Sequence, residues 1–231
     1  MQHELQRLCM ARVGARGTLS LGVWCGLLFG AAGDVSWVRG WVHVGLWVLT
    51  SVVNVVILFL KNPDVLDART RTNRLSAGFD KAIVPLLLLG TLAIPIVAGL
   101  DARRYGWTNL PLWAVYPGVM FHIAGDALLL WAMAVNPFLE GGVRIQTELG
   151  HYVVTTGPYA IVRHPMYTGF ICVLAAIPLV LGSGWTALPA GTVAAGLVVR
   201  TVFEDRMLRC ELPGYSGYAE KTRYRLVPRI W

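Results

Sequence analysis

The stretch GHYVVTTGPYAIVRHPMYTG, residues 150–169, is the densest polar segment beside an apolar run in this chain. Gly157-Pro158 predicts a turn, and Pro165 is a favourable first residue for the helix that follows. A helix N-terminus beside Arg163 and His164 favours the binding of an anion such as a cofactor carboxylate. The alternative is an interfacial basic residue beside a proline-initiated helix, and composition alone leaves both open.

Two further pairs of ionisable residues have helical spacing. Arg200 and Glu204 are four residues apart, so they share a helix face near the end of an apolar run. They are either a surface ion pair worth roughly 0.3–0.5 kcal/mol or groups that hold a substrate at the membrane boundary. His122 and Asp126 lie inside an apolar run, where ionisable groups are costly. We interpret them as an interior hydrogen-bonded pair that stabilises helix packing.

The composition is that of an integral membrane protein. Of the 231 residues, 55% are hydrophobic and 14% are charged, and the mean hydropathy is +0.56. The net charge of +7 arises mostly between apolar runs, which is typical of membrane loops and argues against nucleic-acid binding. The four cysteines have no metal-like spacing, so we predict no metal site.

The apolar runs predict an all-α polytopic bundle of about six membrane spans, with five as the alternative. The runs cover residues 17–33, 40–60, 82–100 and 112–135, and an uncharged stretch at 165–199 is long enough for a hairpin of two spans. Residues 1–17 are predicted to be a basic tail, and residues 61–81 a polar loop. A basic start before a short apolar run also fits a cleaved signal peptide, but we prefer a retained span.

The distribution of charged and aromatic residues predicts the orientation of the bundle. Of the 20 Lys and Arg residues, 17 fall in the two tails and in the loops after the second and fourth spans. Both termini are therefore predicted to be cytoplasmic. An aromatic belt agrees at the opposite turns, with Trp37, Trp41, Tyr105, Trp107, Trp113 and Trp185. In the C-terminal tail, Tyr215, Tyr218 and Tyr224 are interpreted as interfacial anchors, with a pocket lining as the alternative.

An ordered series of motifs fills the C-terminal part of the chain. Gln146 and His151 are followed by VVTTGPY, RHPMYTG, an apolar hairpin, RTVFEDRML and LPGYSGYAEKTRYRLVP. Over roughly residues 140–231, this series resembles the isoprenylcysteine carboxyl methyltransferase family, whose members are integral membrane enzymes that use S-adenosylmethionine. The segment KNPDVL after the second span is similar to bacterial members.

The resemblance implies a role for each matching residue. The S-adenosylmethionine pocket would be formed by Gln146, His151, Val153, Val154, Tyr159, His164, Pro165, Met166, Tyr167 and Gly169. Arg200 and Glu204 would be the catalytic residues that face the methyl acceptor, and Asp205 stands where the family has a second acidic residue. The acceptor would be a lipophilic molecule that enters from the bilayer and is methylated on a carboxyl or an amine group.

The prediction divides the chain at residue 135. Residues 1–135 would form four membrane spans, and residues 136–231 a methyltransferase core with a cofactor pocket on the cytoplasmic face. Phospholipid N-methyltransferases and NADPH-dependent sterol reductases have a similar C-terminal half and remain alternatives. A membrane scaffold without catalysis is a third possibility. Membrane lipids are the expected surroundings, and no nucleic-acid partner is expected.

Overall fold

The computed structural model describes residues 2–70 and 77–231, and every regular element in these ranges is helical. The α-helices are α1 (Gln2–Ala32), α2 (Val38–Lys61), α3 (Pro63–Thr70), α4 (Gly78–Ala98), α5 (Val115–Val135), α6 (Pro165–Leu181), α7 (Ala187–Glu211) and α8 (Tyr215–Lys221). A π-helical segment, Gly99–Tyr105, continues α4. Arg71 and Arg74, two of the basic residues of the predicted polar loop, lie outside the described residues.

The predicted multi-pass helical bundle is confirmed. In the described part of the chain, 5 helical segments are long and apolar enough to cross a membrane: Leu8–Ala32, Val38–Lys61, Gly78–Tyr105, Leu112–Val135 and Ala187–Glu211. The remaining apolar helix, α6, has 17 residues, which is at the short end of the length that spans hydrocarbon. It packs between α5 and α7, and α6 and α7 form the predicted hairpin with its turn at residues 182–186.

Two segments predicted as tail or loop are helical. The basic tail belongs to α1, which runs without a break from Gln2. Part of the predicted polar loop forms α3, where Pro63 occupies the first helical position and Asp64 the first turn, both favourable at a helix N-terminus. Val65 and Leu66 are buried. This short helix is therefore stabilised by packing that the polar composition of the loop did not indicate.

Helices α5 and α6 cross at two facing glycines. A Cβ atom added to Gly169 would lie 2.6 Å from the carbonyl oxygen of Gly125, and one added to Gly125 would lie 2.7 Å from the carbonyl oxygen of Gly169. Any side chain at either position would force the backbones apart. Small residues at such crossings are common in membranes, where van der Waals packing drives helix association.

The ionisable residues inside α5 contact α2 and do not pair with each other, contrary to the prediction. The Nε2 atom of His122 lies 3.4 Å from the hydroxyl of Thr50, and the amide of Asn54 donates to Asp126 at 3.1 Å. The four-residue spacing places His122 and Asp126 on one face, but that face meets polar residues of a neighbouring helix. The predicted role in helix packing is therefore filled by contacts between helices.

At the other end of the bundle, Asp101 fixes the turn between α6 and α7. Its buried carboxylate accepts hydrogen bonds from the hydroxyl of Ser183 at 2.6 Å and from the backbone N–H of Trp185 at 3.1 Å. The hydroxyl and the backbone N–H of Thr108 donate to the same carboxylate. These bonds add to the backbone hydrogen bonds of the turn, so the hairpin returns the chain to the opposite end in a fixed position.

Replacing Gly169 by Ala is expected to lower the free energy of unfolding by roughly 1–3 kcal/mol, because the new methyl group meets backbone atoms of α5 that cannot rotate away. Thermal unfolding of the purified protein in detergent measures the change. Gly191→Ala in α7 is the matched control, since a Cβ there meets nothing within 4 Å. Equal unfolding temperatures for the two variants would contradict the tight crossing.

Candidate active site

A cavity of about 90 Å³ lies at the end of the bundle where α5 ends and α6 begins. Its wall is formed by the loop between these helices, the first turn of α6, the second half of α7, and α8. The α6–α7 hairpin brings these segments together, because it returns the chain to the end at which α6 starts. Polar and aromatic side chains converge here at the edge of the apolar bundle.

Most of the residues predicted from the sequence line this cavity. They are His151, Val153, Val154, Tyr159, His164, Met166, Tyr167, Arg200 and Glu204. The two predicted segments are well separated along the chain and meet only in the folded protein. Their roles in binding a cofactor or a methyl acceptor stay predictions.

Gln146, Pro165 and Gly169 lie outside the cavity wall. Gln146 is 2% exposed, and its side-chain amide donates to the carbonyl of Phe138 at 2.6 Å, so it holds the α5–α6 loop from within. Pro165 begins α6, and the close approach that Gly169 permits is that of α5. These three residues therefore support the cavity and do not face it.

Arg163 is a buried structural residue, and the anion-binding corner predicted around it is already occupied. Its guanidinium forms a two-point ion pair with Asp205, with Nε to Oδ1 at 2.7 Å and Nη2 to Oδ2 at 3.3 Å. The remaining nitrogen, Nη1, donates to three backbone carbonyls of the C-terminal tail, those of Ala219, Thr222 and Arg223. Its hydrogen-bonding capacity is therefore committed to the chain itself.

Asp205 joins several segments through one fully buried carboxylate. Besides Arg163, it accepts from the hydroxyl of Tyr215 at 3.0 Å and from the Nε atoms of Arg209 and Arg225 at 3.3 and 3.2 Å. Two backbone bonds run beside this cluster, from the N–H groups of residues 163 and 164 to the carbonyls of residues 224 and 225. The start of α6, the end of α7 and the tail are thus held together.

Arg200 pairs with Asp80 and not with Glu204. The guanidinium of Arg200 meets the carboxylate of Asp80 with Nε to Oδ1 at 2.7 Å and Nη2 to Oδ2 at 3.1 Å, and both residues are buried. Asp80 also accepts from the backbone N–H of Val143 at 3.0 Å. Sequence reasoning missed Asp80, because its partner is 120 residues away and no local spacing marks it.

Glu204 and His164 present polar atoms at the cavity. The hydroxyl of Tyr167 donates to Glu204 Oε2 at 2.5 Å, and the ring of Tyr167 stacks on His164 at a centroid separation of 5.9 Å. The Nδ1 atom of His164 lies 3.9 Å from Glu204 Oε1, and Nε2 lies 3.6 Å from Asp205 Oδ1. His164 Nε2 is buried beside the carboxylate of Asp205 and is not exposed to the cavity.

Tyr215 and Tyr218 line the cavity, and their prediction as interfacial anchors is wrong. Both are buried, at 4% and 7% exposure, and the hydroxyl of Tyr218 donates to the carbonyl of Tyr159 at 2.7 Å. Burial raises the pKa of Tyr218 to about 12. Their spacing of three residues fits one face of α8, and that face packs inward because Asp205 receives the hydroxyl of Tyr215.

His151 is held on the loop side of the cavity. Its ring stacks on Phe138 with centroids 4.3 Å apart, and its Nδ1 atom accepts the backbone N–H of Gln146 at 3.3 Å. Burial lowers the pKa of His151 below its ordinary value of 6.5, and the charge of Arg144 lowers it further. The neutral ring is therefore the form that fits the folded loop.

Residues 118–210 match the model of the isoprenylcysteine carboxyl methyltransferase (ICMT) family. This part of the chain is similar to that family. The matched segment begins in α5, contains the loop and α6, and ends in α7. It therefore carries most of the cavity wall, and the similarity is to a family of membrane methyltransferases. A search of the curated proteins found no match.

Replacing Asp205 by Asn is expected to destabilise the protein by roughly 3–5 kcal/mol, because the buried charge of Arg163 loses its counter-ion. The unfolding temperature should fall, and a protease should cut the C-terminal tail sooner. Arg206→Ala is the control, since this neighbour on α7 is exposed. Unchanged protection of the tail in the Asp205 variant would contradict its role in joining the segments.

Acidification is expected to loosen the loop around His151. The folded-state pKa of His151 is lowered, so the unfolded loop binds a proton first as the pH falls below about 6.5. The free energy of local unfolding should therefore decrease below that pH. Hydrogen exchange of residues 138–152, compared between about pH 7.5 and about pH 5.5 after correction for intrinsic rates, measures this change. His151→Asn keeps an acceptor but does not titrate, so its exchange should lose this pH dependence.

Proposed function

We propose that this chain transfers a methyl group from S-adenosylmethionine to a lipophilic acceptor at the membrane surface. The observation that carries the proposal is the cavity at one end of the bundle, which lies largely on the segment that matches the methyltransferase family. The positive charge of the loops at this end supports a cytoplasmic location for the cavity and for both termini. An acceptor with an apolar tail would reach it from the bilayer.

The cavity wall is chemically suited to a nucleoside-bearing cofactor. Tyr159 and Tyr167 offer aromatic faces, Val153 and Val154 offer apolar contact, and His164 offers an imidazole ring. Bound S-adenosylmethionine supplies a methyl group that is already activated on a sulfonium. The cavity volume of about 90 Å³ is below the roughly 300–1,000 Å³ of common ligand pockets. Binding must therefore displace part of the wall.

The loop side of the wall is best suited to such a displacement. On this side the pair of Arg144 with the exposed Glu148 lies near the surface, and exposed pairs contribute little stability, whereas the two-point pair of Arg144 with Glu140 is largely buried. The α6–α7 side is held by the buried pairs of Arg163 and Arg200. We expect the α5–α6 loop to move on binding while Glu204 and Tyr167 stay in place. Gln146 and Gly169 would then act on the site indirectly, through the loop and the helix crossing.

Glu204 is the acidic residue best placed to act on the acceptor. Because it accepts the hydroxyl proton of Tyr167 in a hydrogen bond, its carboxylate has one oxygen left to hold a donor group or to take a proton. A carboxylate acceptor needs no proton removal before methylation, whereas an amine acceptor does. Arg200 adds positive charge beside the ring of Tyr167, with its guanidinium carbon 5.5 Å from the ring centroid.

Glu204→Gln is expected to lower methyl transfer by roughly 100-fold or more, since the side chain keeps its shape but loses its charge and basicity. Transfer of tritiated methyl groups in membranes, followed by identification of the labelled lipid-soluble product, measures the activity. Binding of S-adenosylhomocysteine should be retained in the variant. Undiminished transfer would remove Glu204 from the mechanism.

Ligand titrations separate the alternatives for the whole protein. Saturation at about one hundred times the dissociation constant stabilises a protein by roughly 2.7 kcal/mol, which a melting experiment detects. Stabilisation by S-adenosylhomocysteine supports methyl transfer, whereas stabilisation by NADPH supports a reductase. No response to either ligand would favour a membrane scaffold without catalysis.

A further inference from the structure

Three arginines line the cavity, and each already has a carboxylate partner. Arg200 is paired with Asp80, and Arg163 with Asp205. Arg144 is paired with two glutamates of the same loop. A guanidinium that already forms a two-point ion pair with a carboxylate attracts a further anion only weakly. The positive charges of the cavity wall are therefore largely neutralised by the protein itself.

Arg69, on the short helix α3, is a cation next to this wall that has no carboxylate partner among the described residues. Its Nη1 atom contacts the sulfur of Met166 at 3.6 Å, a weak hydrogen bond, and Met166 lines the cavity. The side chain is half-buried. It also lies near Tyr159, Tyr167 and the like charge of Arg200.

An unpaired guanidinium in this position is energetically unfavourable. Arginine stays charged in proteins, and burying a charge without a partner costs several kcal/mol. The pKa of Arg69 is also lowered from its ordinary value, mainly because the side chain is removed from water. A hydrogen bond to a thioether sulfur does not offset that cost. The arrangement is suited to an anion that arrives from outside the chain.

We propose that Arg69 binds the anionic end of the lipophilic acceptor on the Met166 side of the cavity and thereby selects acidic lipophiles. This inference rests on the proposed methyltransferase function. Arg69 lies on α3, which directly follows the membrane span α2. An apolar tail would therefore remain in the bilayer while the acidic group meets the guanidinium. Met166 separates Arg69 from the cavity, and its flexible side chain can rotate to admit the acidic group.

Binding to the purified protein in nanodiscs of neutral phosphatidylcholine tests this role without any turnover. Palmitate is the acidic probe, and hexadecanol is the neutral probe of the same chain length. We expect palmitate to raise the unfolding temperature of the wild type and hexadecanol to leave it unchanged. Arg69→Gln should weaken palmitate binding roughly tenfold or more, because a charge-assisted contact is lost.

Two controls distinguish a binding role from a structural one. Without ligand, Arg69→Gln should unfold at the same temperature as the wild type or a higher one, since an unpaired charge is removed. A lowered unfolding temperature would indicate a structural role and overturn the proposal. Arg206→Gln removes an exposed arginine from α7 and should keep the palmitate response.

Two further measurements identify the source of the acidic group and test the underlying methyltransferase function separately. Nanodiscs doped with dioleoyl phosphatidate replace palmitate in a second arm. Stabilisation that depends on Arg69 in this arm alone assigns the anion to a phospholipid headgroup, whereas dependence in neither arm overturns the proposal. S-adenosylhomocysteine should bind Arg69→Gln as it binds the wild type. Its failure to bind the wild type would instead contradict the proposed methyltransferase function.

Discussion

The buried carboxylate of Asp205 is the point on which the site depends. An isolated charge at such a position would cost far more than folding could offset, so it is retained only because several donors surround it. Arg163 supplies two of those donors and directs its third nitrogen to the tail. Arg163, two residues before the start of α6, thus connects α7 and the C-terminal tail. His164, which follows it, is positioned as a consequence.

A second buried ion pair connects the N-terminal half of the protein to the same site. Asp80, in the first turn of α4, holds Arg200 of α7 and accepts the backbone N–H of Val143 in the α5–α6 loop. The segment that matches the methyltransferase family does not contain Asp80. The matched segment therefore depends on the rest of the protein, because a carboxylate from outside it positions Arg200 and neutralises its charge.

The apolar part of the bundle contributes rigidity. Gly125 and Gly169 let α5 and α6 approach closely, and the Thr50–His122 and Asn54–Asp126 contacts hold α2 beside them. Asp101 fixes the far turn of the α6–α7 hairpin. Both ends of α6 are thereby constrained, so Tyr167 and Glu204 keep their relation.

The sequence by itself determined the membrane-spanning helices, the hairpin and several residues of the cavity wall, because apolar runs and proline or glycine breaks act locally. Val153, Val154 and Tyr159 needed only their place in an ordered motif. Tertiary structure decided which polar groups are used and how. Asp80 reaches Arg200 across 120 residues, Arg163 turns away from ligands toward Asp205, and Gly169 meets a helix. Charge neutralisation and close packing depend on distances between segments, which neighbouring residues along a chain do not encode.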